Sequence, residues 1–279
     1  MNGLGIIAGG GELPAAIADC AIRSGRRVFI AALQGAADRG FDRYPHDWVA
    51  LGEAGRTFDL LRRHGCDDVV LAGKVARPKW NDIRLDAKAL VRMPKIMAAA
   101  AKGDDALLRC FVDLFHDEGF SVLSVAQAAP ALLADTGILG SGRASSRDEK
   151  DVELGIKVVN ALGALDVGQA TVICDGLVLA VEAAEGTDAM ISRIATLSES
   201  IRGTPSKRCG VLVKAPKPIQ DGRTDLPVIG CQTILGAAEV GLAGVAVQAG
   251  ATLILNKAAV AEAADRAGLF VLGFSASNK

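Results

Sequence analysis

The chain has 279 residues, enough for two compact domains with separate cores. Half of the residues are apolar, aromatics make up only 4%, and there are 32 glycines, a mixture suited to helices packed closely on sheets. The formal net charge of −1 excludes a dedicated nucleic-acid binder, which carries a strong basic excess, yet leaves room for a local phosphate site.

The opening MNGLGIIAGGGELP has no basic start and no long apolar run, so no signal peptide is expected. Gly5–Ala8 reads as a short strand ending in Gly9-Gly10-Gly11, and Leu13–Ser24 as a helix with Pro14 in its first turn, closed by Gly25. Val28–Leu33 is a second strand and Trp48–Leu51 a third. A helix over Arg56–His64 stops at Gly65, and Asp68–Ala72 is a strand followed by Gly73-Lys74. Lys88–Ala101 and Ala106–Glu118 have helical spacing, and Phe120–Val125 reads as a further strand. This alternation predicts a Rossmann-like α/β domain over 1–134, with a mostly parallel, doubly wound sheet.

Residues 135–150, rich in Gly, Ser and charge, read as a linker. A mixed α+β domain is expected over 151–279. It starts with a helix over Asp151–Leu162. Strands at Ala170–Cys174 and Leu177–Glu182 flank Asp175-Gly176, a dipeptide favoured in two-residue hairpin turns. Val211–Lys214 is another strand, and Gly244–Gln248 and Thr252–Leu255 flank a second turn. A helix over Ala258–Ala267 and a strand over Phe270–Phe274 end the pattern. No uncharged apolar stretch reaches the roughly 20 residues that span a bilayer, and the expected location is cytoplasmic. The six cysteines are scattered singly, without a CxxC pair, and read as reduced core residues.

The glycine run after the first strand invites a dinucleotide reading, but the GxGxxG spacing places Pro14 at the third position. No acidic residue follows Val28–Leu33 to hold a ribose hydroxyl. A phosphate site at Gly10 and Gly11 and a plain tight turn both remain open. Lys74, after an apolar strand, equally suits a phosphate contact at a strand end or an exposed surface position.

The richest chemistry lies between Glu182 and Asp225. Gln169 precedes the first hairpin strand, and Glu182, Glu185 and Asp188 cluster after the second. Gly186-Thr187-Asp188 opens a helix, where one of the polar residues serves as a plain N-cap. A strand then ends in Lys214 and is followed by Lys217, Gln220, Asp221, Arg223 and Asp225 in a proline-rich loop. Cations beside carboxylates suit cleavage of a pyrophosphate: cations neutralise phosphoryl oxygens, and carboxylates hold Mg²⁺ or position water. The three histidines (His46, His64, His116) all precede this region, which argues against a Ser-His-Asp hydrolase or a zinc centre.

The GxxAGxGxLP opening, Gly73-Lys74-Val75, Gly103-Asp104-Asp105, Leu165–Gln169, Glu185-Gly186-Thr187-Asp188 and the Lys214–Gly230 loop resemble the LpxI-type UDP-2,3-diacylglucosamine pyrophosphatases of lipid A biosynthesis. The resemblance covers nearly the whole chain, and VEAAEGTDAMISR and LVKAPKPIQDGRTDLPVIG are its most specific segments. It implies Mg²⁺-dependent hydrolysis to UMP and 2,3-diacylglucosamine 1-phosphate (lipid X), with water attacking the sugar-side phosphate, a choice the residues themselves leave open. It also implies a homodimer, contact with the inner membrane through the acylated substrate, and no nucleic-acid partner.

On this basis Asp225 and Asp188 are expected to hold Mg²⁺ or position the water, with Lys214, Asp221 and Arg223 completing the catalytic set. Substrate contacts are expected from Gly10, Gly11, Lys74, Asp104, Gln169, Glu182, Glu185, Gly186, Thr187, Lys217 and Gln220. An NAD(P)-dependent oxidoreductase and a non-catalytic nucleotide-sugar or lipid binder are the alternatives.

Overall fold

Strand β1 (Gly3–Ala8) is apolar and buried along its whole length, as the central strand of a parallel sheet covered on both faces requires. The computed structural model describes residues 2–76, 85–101, 103–217 and 226–276, and the chain divides into units Met1–Ala131 and Leu132–Lys279. In the first unit, α1 (Leu13–Arg23) leads to β2 (Val28–Leu33), β3 (His46–Val49), α2 (Ala54–Arg63) and β4 (Cys66–Ala72). Then come α3 (Ala87–Ala100), α4 (Asp104–Asp117), β5 (Ser121–Val122) and α5 (Val125–Ala128). The strands pair in the order β3-β2-β1-β4-β5, all parallel, which is the doubly wound topology expected.

Two boundaries move for local reasons. The third strand lies two residues earlier than expected, because the Ala50 amide turns to the Glu53 carboxylate (2.9 Å) instead of the ladder. Phe120–Val125 contributes only two paired residues. Ser124 accepts from the Gln127 amide (3.1 Å) and Gln127 Oε1 accepts from the Ser124 amide (2.9 Å), a capping box that starts α5.

In the second unit, β6 (Gly137–Leu139) and α6 (Ser146–Ala164) occupy half of the stretch expected to be a linker. The Gly- and Ser-rich composition concealed an edge strand antiparallel to the last strand of the chain and a capping box between Ser145 and Asp148. The unit continues through β7 (Ala170–Cys174), β8 (Leu177–Val181), α7 (Thr187–Ile194), β9 (Val211–Lys214) and β10 (Val228–Ile229). It ends with α8 (Cys231–Glu239), β11 (Gly244–Gln248), β12 (Leu253–Ile254), α9 (Lys257–Ala267) and β13 (Phe270–Phe274). The main sheet runs β6-β13-β11-β9-β7-β8, with β13, β11 and β9 parallel and the outer strands antiparallel.

The expected hairpin at Asp175-Gly176 forms, with both residues at positive φ (54° and 75°). Buried Asp151 of α6 clasps it by accepting from the amides of Asp175 (2.9 Å) and Gly176 (2.8 Å). The second expected hairpin does not form: β11 lies between β9 and β13, while β12 pairs in parallel with β10 as a separate ladder. All six cysteines are free thiols. Burial pushes Cys66 up to about 11 and Cys209 up to about 12, so both stay protonated. No helix among the described residues is long and apolar enough to cross a membrane.

Glu118, at the end of α4, gathers Arg62 (2.7 Å), Lys88 (3.2 Å) and Arg92 (3.0 Å), tying α2 and α3 to one carboxylate. The Arg62 hydrogen bond leads in holding its carboxyl below the usual Glu value. A depressed pKa gives stability that is present above the unfolded-state value and lost as pH falls through the folded one. Glu118→Gln is therefore expected to cost about 1 kcal/mol at pH 7, discounted because two of its partners are half exposed. In thermal melts, the gap between variant and parent should close as pH falls below about 4.

Candidate functional site

Three neighbouring strands of the second unit end together. The ladders set Ala170 opposite Lys214, the Glu182 amide donates to Ala170 O (2.9 Å), and the Ala215 amide donates to Gln169 O (3.2 Å). Residues that the sequence separates by more than 40 positions are thereby brought to one end of the sheet: Gln169 before β7, Glu182 after β8 and Lys214 closing β9.

Glu182 is 6% exposed and Lys214 3%, so both charges are buried. Glu182 Oε2 accepts from the Gln169 amide (3.0 Å) and Oε1 accepts from the Thr187 hydroxyl (2.5 Å). Lys214 Nζ donates to Thr187 Oγ1 (2.9 Å) and to the Val228 carbonyl (3.1 Å). Thr187 thus joins a buried carboxylate to a buried ammonium through a single oxygen. Thr187 is not an N-cap: Gly186 takes that place at φ 79°, with no side-chain cap, and the Thr187 hydroxyl is left for Glu182. Thr187 is the first residue of α7, so Lys214 sits at the helix end whose amides carry partial positive charge.

Around this core, Lys217 pairs with Asp166 (2.8 Å) and Glu185 with Arg193 (3.2 Å), while Asp188 stands exposed in the first turn of α7. Gln169 Oε1 is buried and lacks a hydrogen-bond partner among the described residues. Expected site residues Gln220, Asp221, Arg223 and Asp225 lie outside the described residues. Sequence reasoning missed the Val228 carbonyl, a backbone acceptor with no side-chain signal, and Arg193, whose spacing of eight residues from Glu185 gives no helix-pair signal.

The first unit holds its own candidates. Gly10 and Lys74 exchange backbone hydrogen bonds (2.8 Å each way), and the Gly11 amide donates to Asp38 (2.6 Å). A side chain on Gly9 would place its Cβ 2.5 Å from the Lys74 carbonyl. The glycines therefore permit two backbones to cross, and the amides expected at a phosphate are engaged by the protein itself. The Lys74 residue is exposed, and Asp104 opens α4.

Among the described residues, the one group of three potential metal ligands is Cys174, Asp175 and Cys209. It lies at the opposite end of β7 from Gln169, and Asp175 is already paired with Arg147. The acidic groups described near Lys214 are carboxylates, oxygen donors of the kind a hard cation such as Mg²⁺ prefers, though Glu182 and Glu185 are already engaged by protein groups.

Gly168 positions this end of the sheet. A Cβ there would lie 2.0 Å from the Glu182 carbonyl, which is backbone and cannot swing aside. Gly168→Ala is expected to destabilise the chain by about 2 kcal/mol or more, through the forced separation of β7 from β8. Denaturant midpoints would measure this, and an unchanged midpoint would contradict it.

The LpxI N-terminal domain model matches residues 3–132 and the LpxI C-terminal domain model residues 135–272. UDP-2,3-diacylglucosamine pyrophosphatase LpxI from Caulobacter vibrioides is 46% identical over 273 residues, covering 98% of each chain. With both domain models matched in order and a relative this similar over nearly its full length, the chain belongs to the LpxI family.

Proposed function

We propose that the chain hydrolyses the pyrophosphate bond of UDP-2,3-diacylglucosamine, releasing UMP and 2,3-diacylglucosamine 1-phosphate, with Mg²⁺ as cofactor. The observation that carries this reading is the buried ammonium of Lys214 bonded to the first residue of α7, in a chain 46% identical to a pyrophosphatase over 98% of its length. A cation at a helix N-terminus is where a phosphoryl group gains most from fixed positive charge.

The roles follow from the chemistry of each group. Water adds to one phosphorus, the P–O–P bond breaks, and the leaving phosphate departs with negative charge that Lys214 and Lys217 neutralise. Gln169 Oε1, without a donor among the described residues, offers an acceptor to a substrate hydroxyl or N–H. Asp188 and Asp225 would hold Mg²⁺, which when bound polarises a phosphoryl oxygen or lowers the pKa of a coordinated water. The two acyl chains keep such a substrate in a bilayer, which supports peripheral contact with a membrane surface.

Incubation with UDP-2,3-diacylglucosamine and Mg²⁺ is expected to release UMP, and a chelator should stop it. Asp225→Ala should lower kcat by about 100-fold or more while substrate binding persists, since it removes a group needed in the transition state. A variant with near-normal turnover at saturating Mg²⁺ would exclude Asp225 from the chemistry. Substrate binding without UMP release by the parent chain would favour a carrier role.

A further inference from the structure

We infer that Glu182 is a positioning residue that acts through Thr187 to hold the ammonium of Lys214 in place, and is not itself a substrate ligand. The inference rests on the proposed function only for what Lys214 does to substrate.

Proton inventory gives this chain of groups a single direction. An ammonium has only donors, and so has the Gln169 amide. Glu182 therefore accepts on both oxygens, from Gln169 at 3.0 Å and from Thr187 at 2.5 Å. With its proton committed to Glu182, the Thr187 oxygen presents lone pairs to Lys214 at 2.9 Å. Glu182 is 6% exposed and has each oxygen engaged by the protein, so it is poorly placed to receive a further donor from substrate. A buried carboxylate is costly to keep. Its return here is that the rotamer of Thr187, and with it the Lys214 head group, is set before any ligand arrives.

The Gln169 amide makes Glu182 uniquely suited to this task. In Glu182→Gln the side-chain NH₂ must face one of two donors. Facing Gln169 it opposes a fixed N–H. Facing Thr187 it competes with Lys214 for the lone pairs of the hydroxyl. Either way the hold on Lys214 loosens with almost no change in side-chain volume. Thr187→Val removes the bridging oxygen at similar volume and leaves the Glu182–Gln169 bond intact. Thr187→Ser retains the hydroxyl.

The test is a double-mutant cycle on UMP release, with folding followed by thermal melts. Glu182→Gln and Thr187→Val are each expected to lower kcat by up to about 100-fold with little change in KM, as misplacement of a charge-stabilising group does. Thr187→Ser should restore kcat to within about threefold. In a Lys214→Met background neither substitution should lower kcat further, because the group they position is gone. Full additivity in that background, or melting temperatures that fall while kcat per folded molecule holds, would overturn the role.

A second measurement does not depend on turnover. The ammonium resonance of Lys214 in ¹⁵N-lysine-labelled protein, assigned by its loss in Lys214→Met, should be visible in the parent and in Thr187→Ser. It should broaden or vanish in Glu182→Gln and Thr187→Val as exchange with water quickens. Resonances unaltered in both variants would overturn the inference. A parent chain that releases no UMP would instead defeat the proposed function, leaving the resonance to decide the positioning role.

Discussion

A carboxylate and an ammonium can both be buried only when their lone pairs and protons are matched by protein groups, and the second unit meets that condition at one end of its main sheet. Glu182, Thr187 and Lys214 come from the end of β8, the start of α7 and the end of β9. None is close to Lys214 in sequence. Their meeting requires the antiparallel registers of β7 with β8 and with β9; the first begins at the hairpin at Asp175-Gly176 and shifts by one residue between Val172 and Ile173 before it reaches Glu182. Asp151 clasps that hairpin from α6. The Glu182 side of the site is thus tied to a turn at the other end of β7 and β8.

The first unit shows a different economy. Its glycine run has the look of a nucleotide loop, yet its backbone amides serve the crossing of the Gly9-Gly10 and Gly73-Lys74 segments. The crossing leaves the lysine exposed, with its backbone fixed on both sides. A strand-end lysine whose backbone is held this firmly loses less freedom on meeting an anion than one in an unpaired loop. Gln34 and Gly35, not an acidic residue, directly follow β2, and Asp38 further on is taken up by the Gly11 amide, which agrees with a loop unsuited to dinucleotides.

Much of the fold was legible because its inner strands are apolar along most of their length. Val28–Leu33, Ala170–Cys174, Val211–Lys214 and Phe270–Phe274 are read from sequence at their observed limits. What escaped were elements set by tertiary pairing. The two-residue ladder of β10 with β12 is too short to show a period, and β6 hides in a Gly- and Ser-rich segment. Helix α8 follows Gly230 without a side-chain cap to announce it. The capping box at Ser124 and Gln127 was readable and would have shortened the fifth strand. At the site, the acidic cluster was evident, but its division of labour was not. Only the fold shows that Glu182 has both oxygens filled while Asp188, six residues on, stands exposed.

Strand β8 is an edge strand of five residues, and its outward Leu177 and Val178 are 48% and 41% exposed. Edges are where sheets fray first, and β8 has a sheet neighbour on one side alone, β7. Because Glu182 follows it directly and bonds back to Gln169, the carboxylate acts as a latch on the strand that carries it. Local peeling of β8 would release Thr187 and unseat Lys214 while the rest of the sheet stayed intact. The working state of this corner is therefore bounded by a sub-global opening, and its lifetime can fall well short of that of the folded domain.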